Sequence, residues 1–436
     1  MLTFAVSVKM EFDISSFPIK LSDIFQAIRP LREDFGTVVT QELVRKLEIH
    51  ALENDIALLG CRRHDYRPRT FSGILGRVKL KLLRVKPTGE PRRLAIARYV
   101  EVGDSRYTSD AFEAPIGLLP HLSYRWSSEE SRRITGTGPG KSTLHRRVKE
   151  WAAAFERHPE DCETGYQYLF VDGTGARLQE HVWVGDKLRI LDESGELQMV
   201  YASRGPGHPL VEVGRWVNVP WRTIADEAYQ RINCSTLKYL FMDGEDAIEQ
   251  AFLRPGMVVQ RCSVHAWRSL KASFTEDRMR EENREAVMEW FRGLPLFHYA
   301  VQANLEALRS EDRAEMEKCM QRSTQELDKL QVFLRQKGYA KTAGYLANLT
   351  EPLMTFMRTW LGNGQKIPTT NNICENRFSL IKNRIRNIGK RWSDEGLKRW
   401  LDIAIQKLFP GHDWKQFWQT LVPAPTKIKG YIVAVC

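Results

Sequence analysis

Apolar positions recur at two different spacings in the first part of the chain. Over residues 21–59 they follow the spacing of a helix, which predicts a largely helical N-terminal region. Over residues 74–82 they alternate one by one with cations, which predicts a strand with one cationic face formed by Arg77, Lys79 and Lys81. Two interpretations of this strand stay open: a half-buried strand with a solvated lysine edge, or part of a surface that binds a polyanion.

Two short helical patterns follow at residues 128–134 and 142–155, separated by a glycine-rich break at residues 135–140. The second has a buried stripe formed by Leu144, Val148, Trp151 and Phe155. Cations lie off this stripe near the start of the helix: Arg146, Arg147 and Lys149. The pattern predicts a helix-turn-helix reader of DNA, and a plain helical hairpin is the alternative because the break exceeds the usual turn.

A β-rich region begins at residue 166. Strand patterns cover residues 166–171, 197–202, 215–219, 237–242 and 257–260, and helical patterns cover residues 221–232 and 245–253. The predicted order is therefore three strands, a helix, a strand, a helix and a strand. From residue 266 to about 362 the pattern is helical and rich in charges, with no strand signal.

Charge is concentrated in two segments of an otherwise ordinary globular composition. The 436 residues are 42% hydrophobic and 27% charged, and 65 Lys and Arg against 54 Asp and Glu leave a net charge of +11. Residues 62–98 hold twelve cations against two acids, and residues 377–399 hold eight against two. Such clustering indicates a partner that is a polyanion.

The cysteines indicate a reducing compartment, and the hydropathy pattern indicates a soluble protein. The chain has seven scattered cysteines without a Cys-x-x-Cys pair, so we expect neither a disulfide framework nor a four-cysteine zinc site. Cys61 stands alone, and no zinc is expected there. No apolar run approaches the roughly 18 residues of a membrane span, and the short apolar N-terminus is not a signal peptide. We expect a soluble cytoplasmic protein.

One helical segment, residues 371–388, has two distinct faces. Phe378, Ile381, Ile385 and Ile388 form an apolar stripe, whereas Glu375, Ser379, Lys382 and Arg386 share another arc. A single carboxylate at the head of a basic row fits an anionic polymer lying along the helix, with a cation held against it. Lys382, Arg384 and Arg386 are candidate phosphate contacts, and a solvated basic face is the alternative.

Two aspartates, Asp172 and Asp243, each follow a hydrophobic strand pattern and precede a glycine. If these strands are neighbours, both carboxylates are expected at the C-terminal ends of the strands, about 5–10 Å apart. With Glu375 they could hold two divalent ions about 3.5–4 Å apart. Mg²⁺ is the expected ion, with Mn²⁺ as a substitute, because carboxylates and water suit hard cations.

The combination of motifs resembles the Mutator-like DDE transposases of prokaryotic insertion sequences. The motifs are Val171-Asp172-Gly173-Thr174, Met242-Asp243-Gly244, Gln260-Arg261-Cys262-Ser263-Val264-His265, Thr370-Asn371-Asn372-Ile373-Cys374-Glu375-Asn376 and Gly389-Lys390-Arg391-Trp392-Ser393-Asp394-Glu395-Gly396. The resemblance spans most of residues 62–400. It implies a multidomain α/β protein: a ribonuclease H-like mixed sheet with an all-helical insertion, preceded by a helical/β and helix-turn-helix DNA-binding region.

The resemblance also implies roles for individual residues. Asp172, Asp243 and Glu375 would be the catalytic, metal-binding triad, with two Mg²⁺ or Mn²⁺ ions per site. Cys262 and His265 would match the Cys-x-x-His signature of the family, with a structural or DNA-positioning role. The DNA contacts are expected from basic side chains on two segments: Lys382, Arg384, Arg386, Lys390, Arg391, Arg146, Arg147 and Lys149.

The resulting expectation is a nucleoid-associated DNA transposase. It would bind terminal inverted repeats and target double-stranded DNA as a homodimer or larger assembly, hydrolyse the element end and join it to the target. The expected segments are residues 1–60, helical; 61–155, DNA-binding; 156–265, first part of the core; 266–365, helical insertion; and 366–436, catalytic-glutamate helix and tail. The alternatives are a nuclease on the same core without strand transfer and a domesticated DNA-binding protein.

Overall fold

The computed structural model describes residues 31–59, 61–87, 90–97, 105–155, 165–304, 313–387 and 392–422. The chain divides into two compact units, residues 1–155 with 399–436 and residues 156–398. The predicted last segment, residues 366–436, is therefore divided between the units, and the predicted tail beyond residue 422 lies outside the described residues. No helix in the described part of the chain is both long and apolar enough to cross a bilayer.

The first unit contains helix α1 (Leu31–Asn54) and a three-stranded antiparallel sheet. The strands are β1 (Arg62–Gly73), β2 (Gly76–Lys86) and β3 (Arg93–Leu94). Along β2, apolar side chains alternate with the exposed Arg77, Lys79 and Lys81, which confirms the predicted pattern. The alternation buries Val78, Leu80 and Leu82 in a cluster with Val44 of α1.

Side chains of α1 also satisfy the backbone of β2. Gln41 accepts a hydrogen bond from the Lys81 N–H at 2.7 Å, and the buried Glu48 accepts one from the Leu83 N–H at 2.7 Å. These N–H groups lie on the edge of β2 that does not pair with β1. Because an open strand edge invites pairing with other chains, the helix closes a surface prone to aggregation.

The remaining helices of the first unit include the predicted helical pair. They are α2 (Glu113–Leu118), α3 (Tyr124–Thr135), α4 (Lys141–Glu150), α5 (Ala152–Phe155) and, near the C-terminus, α16 (Trp414–Leu421). Helix α3 starts four residues earlier than predicted and ends at Gly136, whose φ of 80° suits glycine. The indole of Trp418 in α16 lies 5.8 Å from that of Trp151, so the C-terminal helix packs beside α4.

The second unit is built on a mixed five-stranded sheet in the order β6-β5-β4-β7-β8. The strands are β4 (Tyr168–Val184), β5 (Lys187–Ser203), β6 (Val211–Val217), β7 (Tyr239–Met242) and β8 (Val258–Arg261). Strand β5 is antiparallel to both β4 and β6, whereas β4, β7 and β8 are parallel to one another. Helices α6 (Trp221–Arg231) and α7 (Asp246–Phe252) pack on the sheet in one apolar core. The predicted order of elements is confirmed.

Strands β4 and β5 are much longer than predicted, with 17 residues each. The predicted strands at residues 166–171 and 197–202 are only their buried inner parts. The outer parts are rich in polar residues and glycine, so their sequence lacks the apolar signal of a core strand. As a consequence Asp172 lies inside β4 and not at its end, which corrects the prediction.

Helices account for the described residues between 263 and 363, as the pattern predicted. They are α8 (Ser263–Glu276), α9 (Glu281–Arg292), α10 (Leu296–Asn304), α11 (Arg313–Gln336), α12 (Ala340–Leu353) and α13 (Thr355–Asn363). Helix α14 (Asn372–Lys382) then runs into one wider π-helical turn (Asn383–Asn387). Helix α15 (Asp394–Leu408) contains the boundary between the two units.

Candidate active site

The two predicted aspartates lie side by side at the level where β7 ends and β4 continues. Strands β4 and β7 are parallel, with Phe170 opposite Phe241. Continuing this register by two residues brings Asp172 opposite Asp243. The Asp172 carboxylate accepts a hydrogen bond from the Gly173 N–H at 2.9 Å, and Asp243 accepts one from the Glu245 N–H at 3.1 Å.

Asp172 is nearly inaccessible to solvent, with 2% of its surface exposed. Burial raises the pKa of its carboxyl group well above the usual range, and the charges of Asp243 and Glu375 raise it further. The effect of these two neighbours places all three predicted acids within electrostatic reach of one another.

Glu375 is brought to this part of the sheet by the start of α14. Asn371, at the helix start, donates from its side-chain amide to the Val171 carbonyl at 3.1 Å. This bond fixes the helix directly beside the residue that precedes Asp172. Glu375 is in the first turn of α14, and its charge therefore acts on Asp172.

The carboxylate of Glu375 is held by two residues of α8. Arg268 donates to Glu375 Oε1 at 2.8 Å, and His265 Nε2 lies 3.2 Å from the same oxygen. The pKa of His265 is lowered, chiefly by burial and against the opposing effect of Asp243 and Glu375. The same imidazole nitrogen accepts a hydrogen bond from Arg268 Nη1 at 3.2 Å, so Arg268 contacts both side chains and supplies the positive charge beside Glu375.

The predicted Cys-x-x-His pair is divided between two environments. Cys262 is buried beneath the start of α8, and burial raises the pKa of its thiol. Its backbone N–H donates to the Met242 carbonyl at 2.9 Å, next to Asp243. His265 faces Glu375 instead. The structure thus places the pair between the second and third predicted acids.

Glu196 on β5 is an acid of this site that the sequence analysis missed. Burial, with the charges of Glu245 and Asp243, raises the pKa of Glu196 to about 7. Gly173 provides the space for it, because a Cβ at that position would lie 1.9 Å from Glu196 Oε1. The placement depends on the pairing of β4 with β5, and the local signal that could have revealed it is the two-residue turn Gly185-Asp186.

Among the described residues, no group of three or more His, Cys, Asp or Glu side chains is placed to hold a metal ion. The contacts of Glu375 supply a physical reason, since Arg268 and His265 occupy its Oε1. The acids therefore lie near one another without forming a complete set of ligands for a metal ion.

The predicted basic contacts on the Glu375 helix differ in accessibility. Lys382 is exposed, whereas Arg386 donates to the Gly175 carbonyl at 2.9 Å. Arg384 is buried with its guanidinium 5.8 Å from the centre of the Trp392 ring, so a phosphate contact by Arg384 is incompatible with this position. The wider turn after Lys382 changes the angular spacing on which the prediction relied. Lys390 and Arg391 lie outside the described residues.

The basic residues of α4 also differ. Arg146 and Lys149 are exposed. The guanidinium of Arg147 lies 5.0 Å from the ring centre of Phe112 and pairs with Glu150 at 3.1 Å. Arg147 is thus a packing residue in this structure, and its neighbours are the accessible cations.

The first unit has a basic groove of about 690 Å³ between α1 and the strands β1 and β2. Four cations and one acid line it: Arg45, Arg69, Lys79, Lys81 and Glu48. Tyr66, which is more than half exposed, lies at the same groove. Cations beside an exposed aromatic ring are suited to a nucleic-acid backbone and its bases.

Comparisons with known proteins add little to this geometry. No protein-family model matches the chain, and no curated protein matches it. Among solved structures, the chain is similar to the Drosophila P element transposase strand transfer complex, with 10% sequence identity and a TM-score of 0.35. The match covers 73% of this chain and 96% of that chain. A likeness this remote is not an argument for either fold or function.

Proposed function

We propose that this chain is a DNA transposase of the DDE type, with a ribonuclease H-like core. One observation carries the proposal: Asp172 and Asp243 lie opposite each other on neighbouring parallel strands, and the charge of Glu375 acts on Asp172 from a helix much later in the chain. The mixed order of the sheet, with three antiparallel strands and two further parallel ones, supports the core. Membership of the Mutator-like, prokaryotic branch rests on the sequence motifs alone.

The donor set fits a hard divalent cation. Its oxygen ligands are those that Mg²⁺ and Mn²⁺ prefer, and a bound cation would offset the burial and the carboxylate charges that raise the pKa of Asp172. Asp172, Asp243 and Glu375 would hold two such ions, and Glu196 would be a further candidate ligand. When bound, the ions activate the attacking water or 3′-hydroxyl and stabilise the leaving oxygen.

The surrounding residues of the chain prepare this site. Arg268 and His265 fix Glu375 on the side of α8. To bind a cation, Glu375 would have to give up its contact with Arg268. This ion pair would therefore lower the affinity of the site for the cation. Lys382, exposed two turns further along the same face of α14, is suited to a DNA phosphate beside the acids.

Binding of double-stranded DNA is proposed for the basic groove of the first unit and for Arg146 and Lys149. Their substrates would be the terminal inverted repeats of a mobile element and a target duplex. The pairing of two element ends requires at least two copies of the chain.

A strand-transfer assay with labelled element-end DNA tests the proposal. Wild type should cleave and join DNA only with Mg²⁺ or Mn²⁺, and Asp172→Asn, Asp243→Asn or Glu375→Gln should each reduce the rate by about 10³-fold or more, equivalent to about 4 kcal/mol. DNA binding should remain within about twofold, because the acids make no attractive phosphate contact. Cleavage retained in one variant removes that residue from the triad, and cleavage without joining identifies a nuclease.

A second candidate is a DNA-binding protein without catalysis. The Arg268–Glu375 ion pair favours it, together with the lack of a ready metal-binding group among the described residues. In that case wild type and Glu375→Gln would bind DNA equally, and neither would cleave with any divalent ion.

A further inference from the structure

One face of the β1–β2 hairpin combines cations with an exposed aromatic ring and lines the basic groove of the first unit. In the antiparallel pairing of β1 with β2, Pro68 lies opposite Lys81, and Thr70 lies opposite Lys79. Residues directly opposite each other point to the same face of a sheet, and so do residues two apart on one strand. Tyr66, two residues from Pro68, therefore shares this face with both lysines, and all five residues line the groove.

The ring of Tyr66 is open to solvent. Tyr66 is 56% exposed, and within the described part of the chain its side chain makes neither a ring contact nor a hydrogen bond. A single exposed ring is ordinary on a protein surface. This one lies in a concave site beside cations, which is the arrangement of a platform on which a base can stack.

The cations of this face are available to an anion. Lys79 and Lys81 are exposed, and neither forms an ion pair within the described residues. Glu48, the acid that lines the groove, is 3% exposed, and its carboxylate accepts the hydrogen bond from the Leu83 N–H. Side chains two residues apart on a strand are separated by about 7 Å, so the two lysines can contact different phosphates of one chain. The charge of this face therefore favours a nucleic-acid backbone.

The size of the groove suits one strand better than a duplex. Its volume of about 690 Å³ lies within the range of small-molecule sites, about 300–1,000 Å³. A duplex, whose major groove alone is about 12 Å wide, could touch only the rim of such a site. In a duplex the flat faces of the bases are also covered by stacked neighbours, so an aromatic ring can stack only on an unpaired base. The volume of the groove and the ring of Tyr66 thus both favour a single strand.

We propose that the groove binds a single strand of DNA, with phosphates held by Lys79 and Lys81 and an unpaired base stacked on Tyr66. This assignment rests on the proposed function, in which the groove binds DNA, and it specifies that the bound segment is a strand separated from its complement. Every base has a flat face, so binding through the ring tolerates any sequence. The groove would therefore retain a DNA strand wherever the duplex opens.

Fluorescence anisotropy of the full chain tests this site, with a labelled strand of about 12 deoxythymidines and a duplex of the same length as probes. Tyr66→Ala should weaken binding of the single strand by roughly tenfold, as expected for the loss of one stacked base. The same substitution should weaken binding of the duplex by less than about twofold, because a duplex offers no free base to the ring. Lys79→Ala should lower the slope of log affinity for the single strand against log salt by about 0.7.

Two control variants separate stacking from other effects of substitution. Tyr66→Phe retains the ring and should bind the single strand within about twofold of wild type. Ile74→Ala is the matched control, since Ile74 lies in the turn of the same hairpin and is also 56% exposed but does not line the groove. Its affinity for both probes should equal that of wild type.

Three results would overturn the proposal. The first is an equal loss of affinity for the single strand and the duplex in Tyr66→Ala. The second is no loss in this variant, or an equal loss in Ile74→Ala. The third is tighter binding of an RNA strand of uridines than of the deoxythymidine strand, which would assign the groove to RNA. If strand transfer persists while Tyr66→Ala binds the single strand as wild type does, this site alone is excluded, whereas a wild type that binds neither DNA removes the groove from the proposed function as well.

Discussion

His265 Nε2 lies 3.2 Å from Glu375 Oε1, and this contact joins the start of α8 to the first turn of α14. Burial lowers the pKa of His265, and Nε2 also accepts a hydrogen bond from Arg268 Nη1 at 3.2 Å. Arg268 donates to Glu375 Oε1 as well and provides the positive charge beside it. The carboxylate is thus held by a cation that solvent can reach and that also contacts His265.

The Arg268 contact should compete with cation binding. Arg268 is largely exposed, so its ion pair with Glu375 contributes about 0.2–1 kcal/mol. Arg268→Ala should therefore tighten Mn²⁺ binding by up to about fivefold, measured by electron paramagnetic resonance titration. Glu375→Gln should weaken binding in the same titration. Unchanged or weaker binding in Arg268→Ala would contradict a role of this ion pair as a competitor.

Glu196 should make stability depend on pH. Its pKa is about 7 in the folded chain and near 4.5 when unfolded, so the folded state retains a proton that the unfolded state loses between these values. Raising the pH through this window therefore destabilises the protein. Glu196→Gln removes the effect and should be more stable than wild type at about pH 8, by about 1 kcal/mol after solvent screening.

Urea unfolding in the presence of a chelator measures this effect, because bound cations would mask it. The advantage of Glu196→Gln should shrink toward zero below about pH 4, where Glu196 is protonated in both the folded and the unfolded chain. An advantage that is the same at both pH values would mean that the change in stability comes from packing and not from titration.

Lys382 and Arg384 should respond differently to alanine although they are two residues apart. Loss of the exposed Lys382 should lower the slope of log affinity for DNA against log salt by about 0.9, the value of one phosphate contact. Loss of the buried Arg384 removes packing on Trp392, which should lower the free energy of unfolding by about 1–3 kcal/mol. Arg384→Ala should leave the slope of log affinity against log salt unchanged. A reduced slope in an Arg384→Ala variant that remains folded would instead reveal a phosphate contact by Arg384.

Glu48 should stabilise the first unit through a single hydrogen bond. Glu48→Ala leaves the Leu83 N–H without its acceptor and should cost about 1–3 kcal/mol in urea unfolding. Glu48→Gln retains an acceptor oxygen and should lose less than about 1 kcal/mol. Amide hydrogen exchange at Leu83 provides a direct readout, with faster exchange in the alanine variant alone. If both variants are equally destabilised, the carboxylate has another role.

Local patterns in the sequence identified most elements of the second unit. The apolar runs that became the inner parts of β4 and β5 were recognised, as were β7, β8 and the helices between them. The two aspartates were recognised because each follows such a run. These signals are local, since spacing and burial of nearby residues determine them.

By itself, the sequence determined the order of the elements, the helical stretch between residues 263 and 363 and the cationic face of β2. It also identified Asp172, Asp243 and Glu375 as candidate site residues. Only the tertiary structure decided that Glu196 joins those acids and that Arg268 and His265 hold Glu375. It also decided the lengths of strands β4 and β5 and the burial of Arg384. The physical reason is that these features arise from contacts between residues far apart in the chain, whose geometry depends on strand register and helix packing.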